Sequence, residues 1–201
     1  MTDRTEYDFS ADHIDEPVAE TALPVKQGLF DPAQERDACG VGFIADMKGR
    51  KSHRIVGDAL HILENLEHRG AVGADPIAGD GAGIMVQIPH TFLAQDCQVK
   101  GFSLPEPGNY AVGHVFMPQD DRLRAYCESV WMRVIREQGL NLIGWRSVPV
   151  DNSCLSKMVI ATEPVHRQVF IGRSGFKGDQ DAFERKLYLV RKIVSNSVQA
   201  A

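Results

Sequence analysis

Cysteine is a strong nucleophile once it sheds its proton, and one of the four cysteines, Cys39, stands at an unusual border. In "ERDACGVGFIAD", residues 35–46, it separates a charged stretch from a compact apolar run. As an internal residue its backbone nitrogen is an amide with no basicity. If the Ala38–Cys39 bond is cut, the same atom becomes an α-amine with a pKa of about 7.7–8.0. That amine can take the thiol proton directly or through water, as the amine of N-terminal threonine nucleophiles does. A single cleavage would then create nucleophile and base together. Cys39 also suits a plainer role, as a small apolar side chain that begins a buried strand.

Arg69 is the second candidate. In "LEHRGAVGADP", 66–76, it follows a helical pattern and is flanked by Gly70. A guanidinium so placed can reach into a cleft and grip a carboxylate bidentately, or it can close the helix C-terminus through an ion pair. His61, Glu64 and His68 share one helix face, but that face lies opposite the Leu/Ile stripe and reads as solvated. "AGDGAGI", 78–84, lacks the sixth-position glycine of a dinucleotide loop, and an expected strand rather than a helix follows it. It reads as a tight loop at a pocket wall. No Cys/His spacing suits a metal. Cys127 falls on an apolar helical stripe, and Cys97 and Cys154 read as structural thiols.

The elements that must hold these residues follow from periodicity. "CGVGFIA" alternates as a short buried strand whose glycines admit a close neighbour. Val56, Ala59, Leu60, Ile62, Leu63 and Leu66 predict an amphipathic helix over 55–67, with Gly70 as its stop. Strands are expected at 84–88, 110–116, 142–150, 158–162 and 168–172. Two further helices carry the stripes Leu123, Cys127, Val130, Val134 and Phe183, Leu187, Val190, Val194. Strands in runs with fewer helices point to a mixed α+β fold.

Charge divides the chain at the same border. Residues 1–38 hold 10 acidic against 3 basic residues, whereas the remaining 163 are nearly neutral. Such a body lacks the concentrated basic face of a general nucleic-acid binder. "KGRKSHR", 48–54, has no interleaved aromatics and reads as a solvated loop. With no apolar run approaching 18 residues and no basic-then-apolar start, neither a membrane span nor a secretory signal is expected, and cytoplasm is the default.

"ACGVGFIADMKGRKSH" followed by "LENLEHRGAVGADPIAGDGAGIMVQIP" resembles the opening of the amidotransferase domain of glutamate synthase large chains. "LPEPGNYAVGHVFMP", "LIGWRSVPVDNS" and "FERKLYLVRK" are similar to the same family further along, in the same order, so the resemblance runs from about 28 to about 195. It implies the N-terminal-nucleophile hydrolase fold, a four-layer αββα arrangement with two stacked antiparallel sheets. It also implies a propeptide, residues 1–38, whose removal leaves Cys39 first in the amidotransferase portion, 39–201. Cys39 would attack the side-chain amide of glutamine and release ammonia, and Arg69 is the local candidate for holding a substrate carboxylate. In the whole family enzyme that ammonia makes glutamate from 2-oxoglutarate, using FMN, an iron–sulfur cluster and electrons from a small subunit or ferredoxin.

The family's Asn-Gly oxyanion pair and its acidic residue for the glutamine α-amine belong beyond residue 201, as do the flavin and cluster sites. The chain is therefore expected to be an N-terminal fragment, incomplete in its sheets and inactive alone. Two other classes remain open on the residues: a non-catalytic binding or assembly module, and a thiol protein whose Cys39 senses oxidation.

Overall fold

Three alternating segments, Tyr110–Met117 (β1), Asn141–Ser147 (β2) and Val165–Gly172 (β3), pair into one antiparallel sheet of order β1-β3-β2. The computed structural model describes residues 40–69, 77–79, 81–173 and 175–199. Register is fixed along the whole central strand: Tyr110 and Asn141 both face Gly172, and Met117 faces Val165 at the other end of β1. A bulge between Leu142 and Gly144 interrupts the β2 ladder. There Phe102 lies 2.9 Å from where a Cβ on Gly144 would stand, so only glycine admits that ring.

Each sheet face then finds its own cover, as the period of two demands. Val169 and Ile171 point toward Asp121–Glu137 (α3) and Gln180–Gln199 (α5), where they join Val130, Val134, Ile135, Phe183, Val190 and Val194 in the larger core cluster. Trp131 and Trp145 meet edge to face on this side, at 6.2 Å. The opposite face packs Tyr110 and Phe170 against Leu93 and Cys97 of His90–Val99 (α2), with Phe102 and Leu104 alongside. Asp120 caps α3, its carboxylate accepting from the amides of Arg122 and Leu123 at 2.9 Å each.

Both expected long helices and the expected strands at 110–116 and 168–172 are present, whereas the strand expected at 142–150 ends at Ser147. The helix expected over 55–67 runs His53–Asn65 (α1), started by Ser52, whose Oγ accepts from Arg54 N–H. Leu123 proves largely exposed rather than core.

Three strand expectations fail, each for a physical reason. Residues 158–162 lie in a short helix, Lys157–Thr162 (α4), because Ser156 caps it and the extended residue before Pro164 ends it. Residues 40–45 and 84–88 take no strand pairing, and Val41, Phe43 and Met85 are almost fully exposed. An alternating pattern forms a strand only when a partner ladder is beside it. The second sheet of a four-layer arrangement is accordingly not seen among the described residues, where the fold is mixed α/β around one antiparallel sheet.

Candidate active site

Cys39 itself lies outside the described residues, which resume at Gly40. From there the chain passes close to α1 at one point. A Cβ on Gly42 would sit 2.5 Å from Ile62 Cγ2, too close for any side chain without displacement. The segment then turns at Asp46, which accepts from Lys48 N–H at 2.7 Å and from Arg50 Nη2 at 2.8 Å. The bond from the Arg50 side chain chiefly holds the Asp46 carboxyl at about 2. The basic stretch is thus the solvated turn expected of it.

At its other end α1 closes when Leu66 N–H donates to the carbonyls of Ile62 and Leu63, and a single 3-10 turn, Glu67–Arg69, follows. The Arg69 side chain lies outside the described residues. The structure therefore brings the segment after Cys39 onto the helix that leads to the turn carrying Arg69.

The histidine-bearing face of α1 is solvated, as expected. His61 Nδ1 meets Glu64 Oε2 at 3.1 Å on an exposed face, and His68 Nδ1 lies 3.0 Å from Asn65 O. No helix opens directly on "AGDGAGI"; the next, α2, starts only at His90. Among the described residues no group of three His, Cys, Asp or Glu converges on a metal position. Cys97 and Cys127 are buried, burial raising both thiol pKa values. Cys154 is exposed, so its expected structural role is not one of core packing. An iron–sulfur cluster needs convergent thiolates. With Cys97 on α2, Cys127 on α3 and Cys154 in an outer loop, the described residues do not fit one.

Sequence reading missed a polar layer on the α2 side of the sheet. Buried Arg146 donates through Nε to Asp96 and through Nη1 to Gln168 Oε1, at 3.1 Å for the latter. Lys100 also donates to Asp96, at 2.8 Å, and these two cations, Lys100 foremost, hold the Asp96 carboxyl below its usual range. Further along, beyond the cover of α2, His114 Nε2 lies 3.2 Å from His166 Nδ1, and the Phe116 ring stands 5.2 Å from each imidazole. Beside His166, a shallow cavity of about 360 Å³ is lined in part by Ser147, Asn152 and Glu163. Nothing in the local sequence signals these partnerships, since they depend on the β1/β3 register.

Burial, and then the neighbouring His166, depress the pKa of His114 below its ordinary 6.5. The unfolded chain consequently binds more protons than the folded one in the window just below pH 6.5, so stability falls as pH drops through it. Replacing His114 by Gln is expected to flatten that part of the stability profile, as read from urea midpoints between pH 7 and pH 5.

Comparison with known proteins extends these local observations to a family. The family model for class-II glutamine amidotransferases matches residues 39–201. The chain is 43% identical over 174 residues to the glutamate synthase [NADPH] large chain of Bacillus subtilis, covering 87% of this chain and 11% of that one. It is 42% identical over 184 residues to glutamate synthase [NADH] of Schizosaccharomyces pombe, covering 88% and 9%. The ferredoxin-dependent glutamate synthase 2 of Arabidopsis thaliana, a chloroplastic protein, is 38% identical over 171 residues, covering 85% and 10%. The chain thus spans about a tenth of the length of these relatives. From Cys39 to its last residue, it belongs to the class-II glutamine amidotransferases.

Proposed function

We propose that the chain supplies the glutamine-hydrolysing step of a glutamate synthase, with Cys39 as the nucleophile. One observation carries this reading: the family match begins on residue 39, so the shared domain opens on the cysteine whose freed amine would serve as base. Residues 1–38 are then a propeptide. The Cys39 thiol proton passes to the α-amine, and the sulfur adds to the amide carbon of glutamine. The resulting oxyanion is held by N–H donors from the remainder of the domain. The C–N bond breaks as the amine returns its proton to the departing nitrogen, giving ammonia and a γ-glutamyl thioester. Water then cleaves the thioester, releasing glutamate and restoring the thiol.

In this reading Arg69 binds the substrate carboxylate, and the complete domain has the four-layer αββα fold. Ammonia made here feeds glutamate synthesis from 2-oxoglutarate in the complete cytoplasmic enzyme. That synthesis would use FMN and an iron–sulfur cluster held elsewhere, with electrons from a small subunit or ferredoxin. The names of the relatives, which include NADPH-dependent and ferredoxin-dependent synthases, support a common amidotransferase serving different electron donors.

The test is Arg69→Ala in a synthase of full family length carrying this sequence. Loss of a charged hydrogen-bonded partner costs about 2 kcal/mol or more, so KM for glutamine is expected to rise about 30-fold. The value of kcat should change far less, and Arg69→Lys should restore part of the loss. An unchanged KM would remove Arg69 from the substrate site.

A further inference from the structure

The His114–His166 pair, on the part of the sheet face beyond α2, has no role in the glutamine chemistry proposed above. We propose that it is a binding site for one divalent transition-metal ion of the nickel, copper and zinc class, held between His114 Nε2 and His166 Nδ1. Two observations carry this.

The first is distance. Two imidazole nitrogens each at about 2.0–2.1 Å from one ion at a tetrahedral angle are about 3.3 Å apart, and here the two nitrogens are 3.2 Å apart. The spacing therefore suits one shared ion, reached by turning the two rings off the line that joins their nitrogens. The second is rigidity. His114 and His166 belong to neighbouring strands locked by a continuous antiparallel ladder, His114 opposite Gln168 and His166 opposite Phe116. Phe116 also packs against both rings, so the pair is held in place before any ion arrives.

Imidazole donors suit nickel, copper and zinc, whereas magnesium and calcium prefer oxygen. The ion replaces the hydrogen shared between the two rings. Whichever ring carries that hydrogen passes it to its own other nitrogen through solvent, so the exchange leaves each ring with one N–H. Water fills the remaining coordination positions, because the described residues bring no third His, Cys, Asp or Glu to this point. The site is accordingly open, and its affinity rests on two ligands acting together.

Titration of the full 201-residue chain with Ni2+ tests this, using equilibrium dialysis together with paramagnetic broadening of assigned imidazole resonances. The pair should take up one ion, broadening His114 and His166 first. His114→Ala and His166→Gln should each weaken that binding about tenfold or more, since one imidazole alone loses the benefit of the tethered second. His61→Ala should leave it unchanged, and circular dichroism should show all three variants folded as the parent is. The proposal is overturned if both pair variants bind Ni2+ as the parent does. It is equally overturned if Ni2+ broadens His61 or His53 while His114 and His166 stay sharp, or if the two rings respond to pH but not to the metal.

Discussion

In a full-length synthase carrying this sequence, Cys39→Ala should reduce glutamine-dependent ammonia release by at least about a thousandfold. Losses of that order or greater follow when a covalent nucleophile is deleted, because no neighbouring group can form the thioester in its place. Binding of glutamine should survive, since the substitution removes no charge partner of the substrate. Cys39→Ser tests the proton logic separately: its hydroxyl holds its proton far more tightly than a thiol, so most of the activity should be lost although the shape is kept. Intact mass of the active parent enzyme should show Cys39 as its first residue. Active enzyme that still carries residues 1–38, or ammonia release that survives Cys39→Ala, would refute the nucleophile assignment.

The largest stability effect is expected at Phe170. Its ring is fully buried at the centre of β3, 5.6 Å from the Phe102 ring and 6.4 Å from that of Tyr110. It thus joins the central strand to the layer that α2 provides. Phe170→Ala should cost about 3–5 kcal/mol, combining lost burial with a void that a paired strand cannot collapse to fill. With a denaturant slope of about 1–3 kcal/mol per molar urea, the midpoint should fall by about 1 M or more. Phe116 provides the contrast. It is aromatic too and in the neighbouring strand, but 66% exposed, so Phe116→Ala should change stability far less. Equal midpoint shifts for the two variants would contradict the burial pattern.

How far the sequence reveals this architecture depends on how local each signal is. The helices α3 and α5 were legible because Cys127, Val130 and Val134, and likewise Phe183, Val190 and Val194, recur at helical spacing on buried faces. The α2 helix was not, since Leu93 and Cys97 alone are buried and no capping side chain marks its start. The sequence "MVIAT" looks like a strand by composition, yet a capping serine on one side and a proline on the other made it a helix. The apolar alternations at 40–45 and 84–88 promised strands, but a strand exists only with its partner. At the candidate site, Cys39 and Arg69 stood out through their chemistry and neighbours in sequence. The His114–His166 and Arg146–Asp96 pairs, 52 and 50 residues apart, had no such signal. Their meeting is decided by how β1 and β2 register against β3 and where α2 comes to rest.

The contact between Gly42 and Ile62 makes two distant positions behave as one inheritable unit. A methyl added at 42 has no room while the branched side chain at 62 remains, so that change alone displaces one or the other. A smaller residue at 62 opens that room and makes the first change tolerable. Drift at this point should therefore proceed in pairs, with the bulk given up on the helix preceding the bulk gained beside the nucleophile.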